Sequence, residues 1–127
     1  MVSHNSNIAN FRRPARADEW FDLYRNEVAH LLPDPPAVKT DRVKVALFDT
    51  GLDPTDAVIR RHLGRITYKS FVPGEEYHTV KNAKDDNGHG THCAALLLKV
   101  AKTAEVFIGR VTTGKQLESS EYISQVC

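Results

Sequence analysis

The sequence predicts an α/β fold built on a mostly parallel sheet. Three apolar runs rich in β-branched residues alternate with segments of good helix formers along the chain. This alternation favours parallel pairing, because each helix can then cross over between two strands. With 127 residues, of which 41% are hydrophobic and 26% charged, the chain has the composition of one soluble globular domain.

The first 36 residues are predicted to precede the main domain as a leader, a helix and a linker. Residues 1–16 are polar and interrupted by proline, which is typical of a disordered leader. An amphipathic helix is predicted from Asp18, placed to cap its start, to Leu32, before Pro33. The prolines within residues 33–36 predict a short semi-rigid linker. The helix prediction rests on apolar residues at helical spacing, namely Trp20, Tyr24, Val28 and Leu31.

The main domain is predicted over residues 37–127, with three strands and three helices in alternation. Residues 73–88 are predicted to form a loop before the second of these helices. The predicted strands are Val43–Phe48, Arg65–Val72 and Glu105–Val111. The predicted helices are Ala57–Leu63, which Gly64 is expected to stop, a segment that begins at Gly88, and Leu117–Cys127.

Charge and hydropathy argue against several classes of function. The formal charge is +1 and no basic stripe with interleaved aromatic residues occurs, so no nucleic-acid partner is predicted. No apolar run is long enough for a signal-peptide core or a membrane span, which predicts a cytoplasmic protein without a membrane partner. In that reducing compartment we expect no disulfide, with Cys93 a small buried residue and Cys127 a chain-end thiol.

A carboxylate and a histidine are predicted to meet at the carboxyl edge of the sheet. Asp49 follows the first predicted strand, and His89 lies in the first turn of the helix that begins at Gly88. A histidine that acts as a general base needs a carboxylate to fix its tautomer and to stabilise the imidazolium. The positive end of the helix dipole disfavours an imidazolium, so His89 has particular need of an anionic neighbour.

Two segments in this order resemble the motifs of a known enzyme family. Val43–Asp53, with the sequence VKVALFDTGLD, resembles the aspartate motif of subtilisin-like serine proteases, and Asp86–Ala94, with the sequence DNGHGTHCA, resembles their histidine motif. The resemblance extends from about Val43 to the chain end, and the helix and proline linker before it look like the lead-in of fungal-type intracellular members. It implies a three-layer subtilisin-like fold, incomplete in this chain, and peptide or protein substrates.

The resemblance also implies roles for individual residues. Asp49 would be the aspartate of a Ser-His-Asp triad and His89 its general base. Gly88 and Gly90 would let the backbone pass close to the substrate, and Asn87 would lie near the pocket for the residue before the scissile bond. The counterpart of His92 in the family is a structural histidine.

Departures from the family pattern concern glycine and metal. Ala95 stands where the motif usually has a second glycine. Val58 stands where many secreted members have a calcium-binding aspartate, and the segment Ala95–Ala104 is too short for their calcium loop. We therefore expect no metal at that site, and peptide hydrolysis of this kind needs no organic cofactor.

The largest departure concerns the nucleophile. The motif of glycine, threonine and serine that carries the reactive serine in this family does not occur in the sequence. Ser119, Ser120 and Ser124 fall in a predicted surface helix, without the tight turn that would expose a hydroxyl toward His89. The chain alone is therefore expected to be inactive, and the alternative is a truncated or regulatory binding fragment. Missing strands would leave open sheet edges and favour self-association.

Two rival interpretations come from the same residues. Asp49-Thr50-Gly51 after an apolar strand is also the signature of a homodimeric, retroviral-type aspartic protease. Against that interpretation, Leu52-Asp53 replaces the small residue expected next, and the helix at Gly88 has no place in an all-β fold. His92 with Asp85 or Asp86 could suggest a metal site. Helical zinc pairs usually lie four residues apart with a defined third ligand, which disfavours that site.

Overall fold

The computed structural model describes residues 16–34, 37–38, 41–76 and 78–114, which fall into two units divided between Asp34 and Pro35. The predicted leader up to residue 15 lies outside the described residues. So does the predicted last helix, Leu117–Cys127, with its three serines and Cys127.

The described part of the first unit, residues 16–34, contains one helical segment. The helix α1 spans Ala17–Leu23, and the chain continues as a π-helical turn over Tyr24–Val28 and a 3-10 turn over Ala29–Leu31. The prediction that Asp18 caps the start is wrong, because the helix already begins at Ala17 and no side chain caps it. The apolar spacing has a structural counterpart, since the ring of Trp20 stacks on that of Tyr24 with centroids 5.6 Å apart.

The second unit is built on a parallel three-stranded sheet, which confirms the predicted α/β fold. Strands β1, Lys44–Asp49, and β2, Ile66–Ser70, both pair in parallel with β3, Glu105–Arg110, in the order β1-β3-β2. The all-β fold of the aspartic protease interpretation is therefore wrong for this unit. In the register, Asp49 lies opposite Arg110, so the carboxyl ends of the strands share one edge of the sheet.

Two helices connect these strands. The helix α2 spans Ala57–Arg61, and α3 spans His89–Val100. The prediction that α2 continues until Gly64 stops it is wrong: α2 ends at Arg61, and Gly64 lies inside a following 3-10 turn, Leu63–Arg65. The predicted loop before α3 contains a further 3-10 turn, Val80–Asn82.

The core lies between α2, α3 and one face of the sheet. Burial alternates along β2, because successive side chains of a strand point to opposite faces. Within the described residues, no helix is long and apolar enough to cross a membrane. The buried residues of this core are Leu52, Ile59, Ile66, Tyr68, Ala94, Leu98, Val106 and Ile108.

Candidate active site

Asp49 and His89 form a hydrogen-bonded pair at the carboxyl edge of the sheet. Asp49 is the last residue of β1 and His89 the first residue of α3. The Nδ1 atom of His89 lies 2.7 Å from Asp49 Oδ1 and 2.9 Å from Oδ2, so an Nδ1–H group donates to the carboxylate. The Asp49 side chain is only 14% exposed, whereas that of His89 is 64% exposed. The carboxylate of Asp49 is thus largely shielded from solvent, whereas the imidazole of His89 is accessible.

The electrostatics of the pair favour a protonated imidazole. The hydrogen bond from His89 to Asp49 and the negative charge of Asp49 raise the pKa of His89, and Asp85 adds a smaller contribution of the same sign. The conflict with the helix dipole is therefore resolved by neighbouring carboxylates. Such a histidine can take a proton at Nε2 while Nδ1 stays bonded to the carboxylate.

The turn before α3 is shaped by Asn87 and Gly88. Asn87 Oδ1 accepts a hydrogen bond from the backbone N–H of His89, the first residue of α3, at 3.2 Å. Gly88 has a φ of 89°, in the left-handed region that favours glycine. Both residues are exposed and precede His89 directly in the chain.

Gly90 lies in a different environment from Asn87 and Gly88. It is buried, and a Cβ atom added to it would lie 2.8 Å from Gly51 N and closer still to Gly51 O. The close approach that Gly90 permits in this structure is therefore between α3 and the segment after β1.

Asp85 organises the loop between the turn Val80–Asn82 and α3. Its Oδ1 accepts hydrogen bonds from Thr50 Oγ1 and from Gly88 N–H, both at 2.8 Å, and its Oδ2 accepts from Thr91 N–H at 2.8 Å and Thr91 Oγ1 at 2.5 Å. Burial alone would raise the pKa of Asp85, but hydrogen bonds from Thr91, Gly88 and Thr50 outweigh it and lower the pKa to about 2.

The sequence suggests Asp85 only as a metal ligand, although an aspartate three residues before Gly88 is also a signal for a capped turn.

Arg110 is a buried cation that sequence reasoning missed. Its side chain is fully buried at the end of β3, and Nε and Nη2 bind the two oxygens of Glu75 at 3.0 and 3.1 Å. Nη2 also donates to Asp86 at 3.1 Å, and Nη1 donates to the carbonyl oxygen of Thr50 at 2.7 Å. Arg110 therefore joins three loops beneath the candidate site. No local pattern marks it, because its partners are distant in sequence.

Cys93 lies at the site, and the prediction of a small buried residue is wrong for it. The residue is half-buried one turn after His89, and its Sγ is 3.8 Å from both ring nitrogens. Burial, and then the charge of Asp49, raises the pKa of the thiol, so it is held in its neutral form. The spacing of four residues from His89 was the available signal, since i and i+4 share a helix face.

The described residues offer one group of potential metal ligands, and it differs from the set considered for His92. Asp49, His89 and Cys93 bring one ligand atom each within 4.8 Å of one another. A metal held there through Nδ1 would have to displace the hydrogen bond between His89 and Asp49. His92, whose counterpart in the family is a structural histidine, is exposed in this structure.

A protein-family model matches most of the chain. The model of the subtilase family, peptidase S8, matches residues 40–125 of the chain. The matched range contains the three strands, α2, α3 and both members of the Asp49–His89 pair. No curated protein and no solved structure matches the chain.

Proposed function

Because the chain belongs to the subtilase family of serine peptidases, we propose that Asp49 and His89 serve as the aspartate and the general base of an endopeptidase triad. The observation that carries this proposal is the 2.7 Å hydrogen bond between His89 Nδ1 and the largely buried carboxylate of Asp49. The pair lies at the carboxyl edge of a parallel sheet, where α/β proteins commonly bind ligands.

The proposed chemistry is hydrolysis of a peptide bond. A serine hydroxyl attacks the carbonyl carbon, and His89 Nε2 accepts its proton and later delivers a proton to the leaving amine. Asp49 stays ionised, keeps the Nδ1–H tautomer in place and stabilises the imidazolium. Asn87 and Gly88, exposed beside His89, are proposed to line the path of the peptide, whereas for Gly90 we propose packing of α3 against Gly51.

The nucleophile is proposed to come from outside these 127 residues. The motif of glycine, threonine and serine does not occur in the sequence, and Ser119, Ser120 and Ser124 have no motif of their own that would make them reactive. In a serine peptidase, loss of the serine alone costs about as much activity as loss of the whole triad, roughly 10⁶-fold. The same absence supports a second candidate function, that of a binding fragment without catalysis.

A fluorophosphonate probe distinguishes a complete triad from an incomplete one, because it labels only an activated serine. We expect the 127-residue chain to remain unlabelled. We expect a longer gene product that continues past Cys127 with the serine motif to be labelled and to cleave casein. In that product, His89→Ala should abolish labelling, and His92→Ala, a matched change at an exposed histidine of the same helix, should not.

Three results bear against these proposals. Stoichiometric labelling of the 127-residue chain would reject the external serine. Unchanged activity of the His89→Ala variant in the longer product would reject the triad. A gene that ends at Cys127 without a serine motif would favour the binding fragment.

A further inference from the structure

We propose that Thr50 and Asp85 are positioning residues that hold the segment after β1 on the first turn of α3, and so set the contact between Asp49 and His89. This inference rests on the proposed function of that pair. Neither residue is proposed to touch a substrate or a reacting atom.

Thr50 makes hydrogen bonds both to Asp49 and to the first turn of α3, which carries His89. It is only 6% exposed, and its backbone N–H donates to Asp49 Oδ1 at 2.7 Å. Its Oγ1 accepts a hydrogen bond from the backbone N–H of Gly90 at 2.9 Å. One residue therefore fixes the Asp49 carboxylate and also holds the backbone next to His89.

Asp85 makes a second connection between Thr50 and the first turn of α3. The hydroxyl of Thr50 donates its one proton to Asp85 Oδ1 at 2.8 Å, which orients Oγ1 so that a lone pair faces Gly90 N–H. The remaining hydrogen bonds of Asp85 go to the α3 end of the link, at Asn87, Gly88 and Thr91. The carboxylate thus joins the residue after Asp49 to the two sides of His89.

The contact between the first turn of α3 and the segment after β1 is tightly packed. Gly90 packs so closely on Gly51 that a Cβ atom would not fit, and Thr91 Oγ1 accepts from the backbone N–H of Asp53 at 2.9 Å. The hydrogen bond of Asp49 and His89 has no comparable packing around it, because the imidazole is 64% exposed. Its geometry therefore depends on how the two backbone segments are held.

The variant Thr50→Val tests the link without changing any charge. Its readout is the pKa of His89 by NMR titration of the six imidazoles, with the other five histidines as internal controls. The titratable groups that face His89 are Asp49, Asp85 and Cys93, and this variant leaves all three in place. We define the effect of Asp49 as the drop in the pKa of His89 that Asp49→Asn causes.

We expect Thr50→Val to lose more than half of that effect, and Thr50→Ser, which keeps the hydroxyl, to retain most of it. Asp85→Asn should lower the pKa of His89 further than Thr50→Val, because it removes a charge as well as the link. Circular dichroism and the dispersion of β3 amide signals report whether each variant is folded. If Thr50→Val does not fold, the comparison of Thr50→Ala with Thr50→Ser applies the same criterion.

Two outcomes separate this inference from the proposed function. If Asp49→Asn lowers the pKa of His89 while folded Thr50→Val leaves it near the wild-type value, the pair stands and the positioning role is rejected. If Asp49→Asn itself has no effect, the Asp49–His89 pair is rejected along with the function built on it.

Discussion

At the scale of single residues, Asp85 determines the local structure of the site by binding several neighbouring residues through one carboxylate. Its carboxylate accepts hydrogen bonds from Thr50, Gly88 and Thr91, and these bonds favour the ionised form strongly enough to lower its pKa to about 2. A group whose pKa is lower in the folded state than in the unfolded state stabilises the fold at any pH above its unfolded pKa. That stabilisation is lost as the pH falls through the folded pKa.

The first prediction concerns the acid stability of the second unit. Since the ordinary pKa is 3.8 and the folded pKa about 2, the contribution of Asp85 is present above about pH 4 and disappears as the pH falls through about 2. Asp85→Asn should lower the free energy of unfolding at neutral pH by about 1–2 kcal/mol, because the side chain is only half-buried and water replaces part of the lost interaction. It should also flatten the fall in stability across that pH window.

Urea denaturation followed at a series of pH values measures both effects. Glu76→Gln is the matched control, since it removes the same charge from an exposed side chain in the same unit. Equal stabilities of Asp85→Asn and Glu76→Gln across the whole pH range would contradict the prediction.

Sequence patterns find the residues of the pair more readily than the residues that support it. Asp49 and His89 stand next to a strand end and a helix start, and such boundaries leave local signals. Arg110 and Thr50 meet across 60 residues, and Thr50 and Asp85 across 35, so their contacts depend on the strand register. The small, apolar side chain of Cys93 predicts burial. In the structure it is only half-buried, because it lies on the helix face that carries His89.

At the scale of elements, the contact of α3 with the segment after β1 depends on glycine. Gly90 is buried in the first turn of α3 and faces the backbone of Gly51. The helix can therefore approach close enough for Gly90 N–H to bond Thr50 Oγ1 at 2.9 Å. The position of His89 follows from this approach, because His89 precedes Gly90 in the same turn.

The second prediction is that Gly90→Ala disturbs this contact. The added Cβ would overlap with Gly51, so α3 would have to move, at a cost of about 1–3 kcal/mol in the free energy of unfolding. Gly64→Ala is the matched control, since a Cβ at that exposed position meets nothing within 4 Å. We expect the control to change stability by less than about 0.5 kcal/mol.

Chemical denaturation at neutral pH decides the second prediction. A loss of stability for Gly90→Ala no greater than for Gly64→Ala would show that α3 does not depend on the close approach.

The ends of elements were harder to predict from sequence than their cores. The apolar patterns of the three strands and of α3 are regular enough to predict these elements, and the observed strand ends lie within two residues of the predicted ones. The end of α2 was wrong because Gly64 was given the role of a helix stop, whereas a 3-10 turn bonded through His62 already replaces the helix there. The helix α1 begins at Ala17, one residue before Asp18, so Asp18 lies inside its first turn and does not cap it.

At the scale of the whole molecule, β1 and β2 are the two edge strands of the described sheet. In the order β1-β3-β2, only β3 has a strand on both sides among the described strands. The carbonyl oxygen of Val43 accepts a hydrogen bond from Glu105 N–H on β3, yet Val43 is 68% exposed. Phe48 on β1 is also exposed, although its ring meets Phe107 edge-on. Edges of this kind pair readily with other chains.

The third prediction is that the chain self-associates through these edges. We expect light scattering after size-exclusion chromatography to show a mass above that of the 14.2 kDa monomer, increasing with concentration. Val43→Lys should shift the distribution toward monomer, because a charged residue at an edge disfavours pairing. A monodisperse monomer at all concentrations, for the wild-type chain, would contradict this prediction.

The central claim is that Asp49 holds His89 as the general base of a subtilase site, and the pKa of His89 tests it most directly. Asp49 raises that pKa through its hydrogen bond and its charge, so we expect the His89 imidazole to titrate above the ordinary value in the native chain. Asp49→Asn should lower the pKa of His89, because it removes the negative charge that stabilises the imidazolium. An NMR titration in which His89 has the same pKa in both proteins would contradict the account.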